Sequence, residues 1–143
     1  MEGMPLLRFK TGDIVEHFTE RCSCGRQSMR IGPVIGRRQQ MIKYKGTTLY
    51  PPAIYDVLND IEGIANYIVE VSDNEVGMDD LVIKIGAEAD KAFEKKIKDH
   101  FRARIRVAPE IIFEDPSVIQ KKQFPPQSRK PVVFVDKRPA TSQ

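Results

Sequence analysis

The 143 residues suffice for one ordinary domain and are too few for two. With 41% hydrophobic and 30% charged residues the chain can bury a core, and no apolar run reaches the length of a membrane span. The net charge of +3 is uneven: residues 120–143 hold six basic residues against Asp136 alone, which leaves the preceding part slightly acidic. Such a tail suits a solvated end, a nucleic-acid arm or a phosphate-binding element. The start of the chain has neither the basic region nor the apolar run of a signal peptide, and Cys22 and Cys24 are too few for a disulfide framework. Both point to a cytoplasmic, reducing setting.

Residues 1–37 read as short strands, 6–10, 13–18 and 29–35, the last broken by Gly32-Pro33. They carry too little apolar surface for a core of their own and resemble the edge of something larger. Segments 41–45 and 47–50 flank Gly46 as a hairpin or bent strand. Pro51-Pro52 then opens a helix whose Ile54, Val57, Leu58 and Ile61 recur at i, i+3, i+4 and i+7, and Glu62-Gly63 ends it. Alternation predicts half-buried strands over 67–71 and 81–85, joined by a turn-rich connector.

Asp90 begins a second amphipathic helix with Phe93, Ile97 and Phe101 on one face. A strand follows over 111–113, closed by Pro116, and a final apolar strand runs over 131–136. The expected fold is α+β: a small split β-α-β-β-α-β (ferredoxin-like) sandwich with helices on one face, an N-terminal β-hairpin remnant and an extra C-terminal strand.

Three short motifs carry chemistry. In Thr11-Gly12-Asp13 a carboxylate just past a glycine can accept two hydroxyl hydrogen bonds from a diol, or simply serve a surface turn. Arg37, beside Gly36 where the composition changes, suits a ligand contact between two units or an exposed linker. Lys130, on a loop braced by Pro125-Pro126, can be delivered as a point charge to a phosphate or carboxylate oxygen, or remain solvated. Cys22 and Cys24 offer two thiolates of a structural zinc site whose remaining ligands lie elsewhere, or two reduced thiols at a turn.

In this order and spacing, the run from Gly3 to Asp13, the Cys22-Ser23-Cys24-Gly25-Arg26 element, Gly36-Arg37 before Met41-Ile42, and Arg129-Lys130 before Val135-Asp136-Lys137-Arg138 together resemble the C-terminal part of the phenylacetate–coenzyme A ligases. These belong to the adenylate-forming acyl-CoA synthetase superfamily. The resemblance implies a division into residues 1–37, a remnant of the large adenylating domain, and 38–143, the mobile lid. It implies an acid–thiol ligase that uses ATP with Mg, CoA and an aromatic carboxylic acid, forming an acyl-adenylate and then an acyl-CoA. Asp13 and Arg37 match the ribose contacts, and Lys130 matches the lysine that neutralises charge during adenylation. Gln39 stands at the hinge where relatives carry a carboxylate, and Lys45 with Gly46 fall on the loop that nears the CoA tunnel. Around the lysine the family's glycine is replaced by Arg129.

No stretch resembles a Ser/Thr/Gly-rich phosphate loop or an acid pocket, so the chain reads as a truncated or excised part with no activity alone. An uncovered N-terminal edge would favour strand-mediated self-association. The competing reading is a stand-alone ferredoxin-like module that binds a nucleotide, CoA or nucleic acid without catalysis. Nucleic acid is the weaker form of it, because no aromatic platform accompanies the basic stretch.

Overall fold

Alternating β-branched residues build the centre of the molecule. In the computed structural model, which describes residues 7–74, 77–126 and 128–139, β5 (Tyr67–Asp73) and β6 (Asp79–Gly86) pair antiparallel with Val69 opposite Ile83 and Val71 opposite Leu81. β7 (Glu110–Glu114) joins β6 in parallel, and β8 (Phe134–Asp136) joins β5 in parallel, giving the order β7-β6-β5-β8. Two further ladders lie outside this sheet: β1 (Asp13–Phe18) with β2 (Arg30–Arg37), and β3 (Ile42–Tyr44) with β4 (Thr47–Leu49).

The two amphipathic helices cover one face. α1 (Pro51–Asn59) starts with proline in its first turn, where a missing N–H costs nothing, and buries Ile54, Val57 and Leu58. α2 (Lys91–Ile105) is capped by Asp90, whose carboxylate accepts the Ala92 N–H at 3.0 Å, and ends on Arg106 in the left-handed region at φ 63°. Its Ile97 and Phe101 are fully buried with Val69, Val71, Leu81, Ile83 and Ile85 in one core cluster, which also takes Ile42, Tyr44 and Leu49 from the β3–β4 hairpin.

A mixed α+β domain is therefore present, but the expected plan is corrected in two respects. The strand before α1 is not in the sheet. β3 and β4 are three residues each, turn tightly at Lys45 and Gly46 (φ 47° and 77°), and satisfy their own pairing. Tyr44 OH then ties this hairpin to the Ala108 carbonyl at 3.2 Å. The second correction is a third helix, α3 (Pro116–Gln123), where a closing proline was expected. Asp115 caps it through the Ser117 N–H at 2.8 Å, and Ile119 is fully buried. β5 buries both Ile68 and Val69, which point to opposite faces, so a cover is needed on each side of the sheet.

At the N-terminus the hairpin forms as expected, although residues 7–10 are not a strand and Leu6 lies outside the described residues. Gly32-Pro33 does not break β2; the ladder absorbs it with register shifts, as proline in a strand requires. The hairpin contributes no fully buried side chain to the core, and Ile31 and Val34 are 67% and 56% exposed. Its packing on the rest runs through Gly36, where a Cβ would sit 2.6 Å from the Tyr50 ring. At the other end, the expected strand over 131–136 narrows to Phe134–Asp136. Among the described residues no helix is long and apolar enough to cross a membrane.

Candidate functional site

Asp13 opens β1 and Arg37 closes β2, and the antiparallel register sets them opposite each other. Arg37 Nε lies 3.4 Å from Asp13 Oδ1, with the carboxylate partly shielded and the guanidinium open to solvent. The Asp13 N–H also donates to Thr11 Oγ1 at 3.3 Å, which closes the Thr-Gly-Asp turn on itself. A carboxylate with open lone pairs beside a planar cation is fit to accept two neighbouring hydroxyls.

Directly after Arg37, the Arg38 N–H donates to the Gly12 carbonyl at 2.9 Å, and residues Arg38–Gln40 form one 3-10 turn. Gln39, expected at the hinge, lies in the middle of this turn. Its carbonyl accepts from Arg138 at 3.3 Å.

Lys130 sits on the loop between α3 and β8. The loop is braced from within: the Ser128 N–H donates to Pro125 O at 2.9 Å, Ser128 Oγ donates to Lys130 O at 2.6 Å, and the Lys130 N–H donates back to Ser128 Oγ at 3.3 Å. Its base is anchored by the buried Gln123, whose side-chain amide donates to Tyr67 O at 2.8 Å while its backbone carbonyl accepts from the Val132 N–H at 2.8 Å. The backbone is thus held while the ammonium is exposed, and among the described residues it has no carboxylate partner. Gln127 of the motif lies outside the described residues. No hydrogen bond or ion pair links Lys130 to the Asp13–Arg37 pair.

At the tip of the β3–β4 hairpin, Lys45 stands 4.9 Å over the Tyr44 ring and donates to Ala108 O at 3.4 Å, so its ammonium is already engaged. Gly46 has open space where a Cβ would be, and its positive φ is what calls for glycine. Cys22 and Cys24 bring their sulfurs to 3.0 Å at an exposed turn, and hydrogen bonding from Cys24 lowers the Cys22 pKa. Among the described residues no group of three or more His, Cys, Asp or Glu side chains converges on one point. Two thiols supply half of the ligands a structural zinc takes, so these residues do not fit the metal on their own.

Sequence reading assigned no role to Arg138. Its guanidinium binds Asp136 through Nε and Nη2 at 2.9 and 2.6 Å, Met41 O at 2.8 Å and Asp79 Oδ2 at 3.2 Å. The hydrogen bond from Arg138 holds the Asp136 carboxyl below the usual aspartate range. Asp79, itself buried, also accepts the Lys43 N–H at 2.6 Å. The Asp-x-Arg spacing is visible in the sequence, but partners 59 and 97 residues away are not.

The family described as AMP-binding enzyme C-terminal domain matches residues 46–138. The phenylacetate–coenzyme A ligase of Thermus thermophilus is 34% identical over 96 residues, 67% of this chain and 21% of that protein. A solved 2-hydroxyisobutyryl-CoA ligase in the postadenylation state, in complex with 2-HIB-AMP, superposes with a TM-score of 0.65 at 22% identity, covering 92% of this chain and 29% of the ligase. The same ligase with 2-HIB-AMP and CoA in the thioesterification state gives 0.54 at 21%, covering 94% and 29%. The chain spans less than a third of the length of each of these relatives. At such identity the structural likeness is one of fold.

Proposed function

The chain belongs to the AMP-binding enzyme C-terminal domain family of the adenylate-forming ligases, and from that premise we propose that it is the swinging lid, with an N-terminal hairpin remnant over 1–37, of an acid–CoA ligase of the phenylacetate type. The observation that carries the reading is the exposed ammonium of Lys130 on a loop whose backbone is held from both sides. A charge held this way, with its backbone fixed and its ammonium unpaired, suits a transition state formed on another surface.

In the first half-reaction the acid's carboxylate oxygen attacks the α-phosphorus of ATP and pyrophosphate leaves. Lys130 faces the charge that builds between those oxygens. Asp13 accepts the ribose hydroxyls, and Arg37 orients that carboxylate. In the second, the thiol of CoA attacks the acyl carbon and AMP leaves; the lid has turned about the segment near Gln39, withdrawing Lys130 and presenting the Lys45-Gly46 tip to the pantetheine arm. ATP with Mg and an aromatic acid are held by the adenylating domain, which supplies the phosphate loop and acid pocket. The 34% identity to a phenylacetate–coenzyme A ligase and the Cys-x-Cys-Gly-Arg element support the aromatic acid.

Joined to an adenylating domain of the phenylacetate ligase type, the chain is expected to support acid-dependent pyrophosphate exchange. Lys130→Ala should lose that exchange by about a hundredfold or more yet still convert preformed acyl-adenylate to thioester. Equal loss in both half-reactions, or in neither, overturns the assignment.

A further inference from the structure

A guanidinium has five N–H donors, and Arg138 uses each once: Nε to Asp136 Oδ1, Nη1 to Met41 O and Asp79 Oδ2, Nη2 to Asp136 Oδ2 and Gln39 O. The side chain is only 16% exposed. It ties three separated parts of the chain together: the end of β8, the start of β6 and the backbone just past the 3-10 turn. Asp79 strengthens the same junction by accepting the Lys43 N–H. On the other side of the turn, the Arg38 N–H is held by Gly12 O, on the loop leading into the N-terminal hairpin.

The backbone from Arg38 to Met41 is therefore fastened at both ends to different bodies, one to the hairpin and one to the sheet. Between the fastenings lie a 3-10 turn with no buried residue and the weakest of the Arg138 contacts, that to Gln39 O. We infer that Arg138 is a positioning residue that moors the lid end of the hinge at Met41, confining rotation to residues 38–40. The mooring requires Arg138 rather than lysine, because a point charge with three donors cannot hold Asp136 in a bidentate fork and reach Met41 O and Asp79 together. This inference rests on the lid reading above.

The test uses the 143-residue chain without nucleotide, so its failure is separable from failure of the ligase assignment, which pyrophosphate exchange decides. With Cys22→Ser and Lys96→Cys, nitroxides on Cys24 and position 96 report the distance between hairpin and α2. Arg138→Gln should broaden that distance distribution, and Arg138→Lys should not restore it. Amide exchange at Met41 and Lys43 should quicken about tenfold in both variants, while amides of β5 and β6 keep their rates. An unchanged distribution, a uniform acceleration throughout the sheet, or full rescue by lysine each overturns the mooring. Should Arg138→Gln fail to fold, the lysine variant alone decides between them.

Discussion

Asp13 and Arg37, twenty-four positions apart, are cross-strand partners whose charged groups meet at 3.4 Å at the open end of the N-terminal hairpin. An ion pair this exposed contributes little to folding. Asp13→Asn should change stability by no more than about 0.5 kcal/mol. If the proposed lid role holds, then with an adenylating domain joined to the chain it should weaken AMP binding by about tenfold or more, because the amide's NH2 end donates where the second carboxylate oxygen accepts. Thermal melting and calorimetric titration with AMP check the two halves. A large loss of stability would make the pair structural.

Ser128 braces the lysine loop by both donating to and accepting from the backbone of Lys130. Ser128→Ala removes the brace and leaves the charge. The rate of adenylation should fall several-fold, less than for Lys130→Ala, with the thioester-forming half unchanged. Single-turnover measurements of each half-reaction separate the outcomes.

Glu70 is only 16% exposed and holds Lys84 and Lys137, each at 2.7 Å. Burial alone would raise its pKa, but hydrogen bonds from Lys137 and Lys84 outweigh that and leave it lowered. Asp136 is lowered likewise by Arg138. A carboxylate lowered on folding adds stability above its unfolded pKa, which is lost as pH falls through the folded value. The urea midpoint should be level above about pH 5 and drop as the pH goes below the ordinary carboxylate range, roughly 4. Glu70→Gln should cost about 2 kcal/mol at neutral pH and make the acid limb shallower.

Gly36 leaves no room for a side chain against Tyr50. Gly36→Ala should destabilise the chain by about 1–3 kcal/mol as the ring is displaced. In a Tyr50→Ala background the same change should cost almost nothing. A double-mutant cycle by urea unfolding measures this coupling, and additive effects would place the strain elsewhere.

Local pattern carried much of this protein. The stripe Ile54, Val57, Leu58 and the alternation in 67–71 and 81–85 each satisfy a periodicity that burial then enforces, so those elements stand where expected; α1 stops at Asn59, one turn sooner than Glu62-Gly63 suggests, and Ile61 is buried from the turn beyond it. The Asp115-Pro116-Ser117 start of α3 was legible too, as a cap followed by proline at the first helical position. The same proline also suits the end of the strand before it, and local pattern alone does not choose between the two. Asp13, Arg37 and Lys130 were found as motifs, each resting on a short run of neighbours.

By itself the sequence determined α1, α2 and the central strands around 67–71 and 81–85, because those patterns depend on neighbours within a few positions. Only the tertiary structure decided that β3 and β4 stand apart from the sheet, that α3 covers its second face, and that Arg138 reaches back to Gln39, Met41 and Asp79. Strand order and long-range hydrogen bonds depend on which surfaces meet once the core has closed, and no local period encodes that meeting.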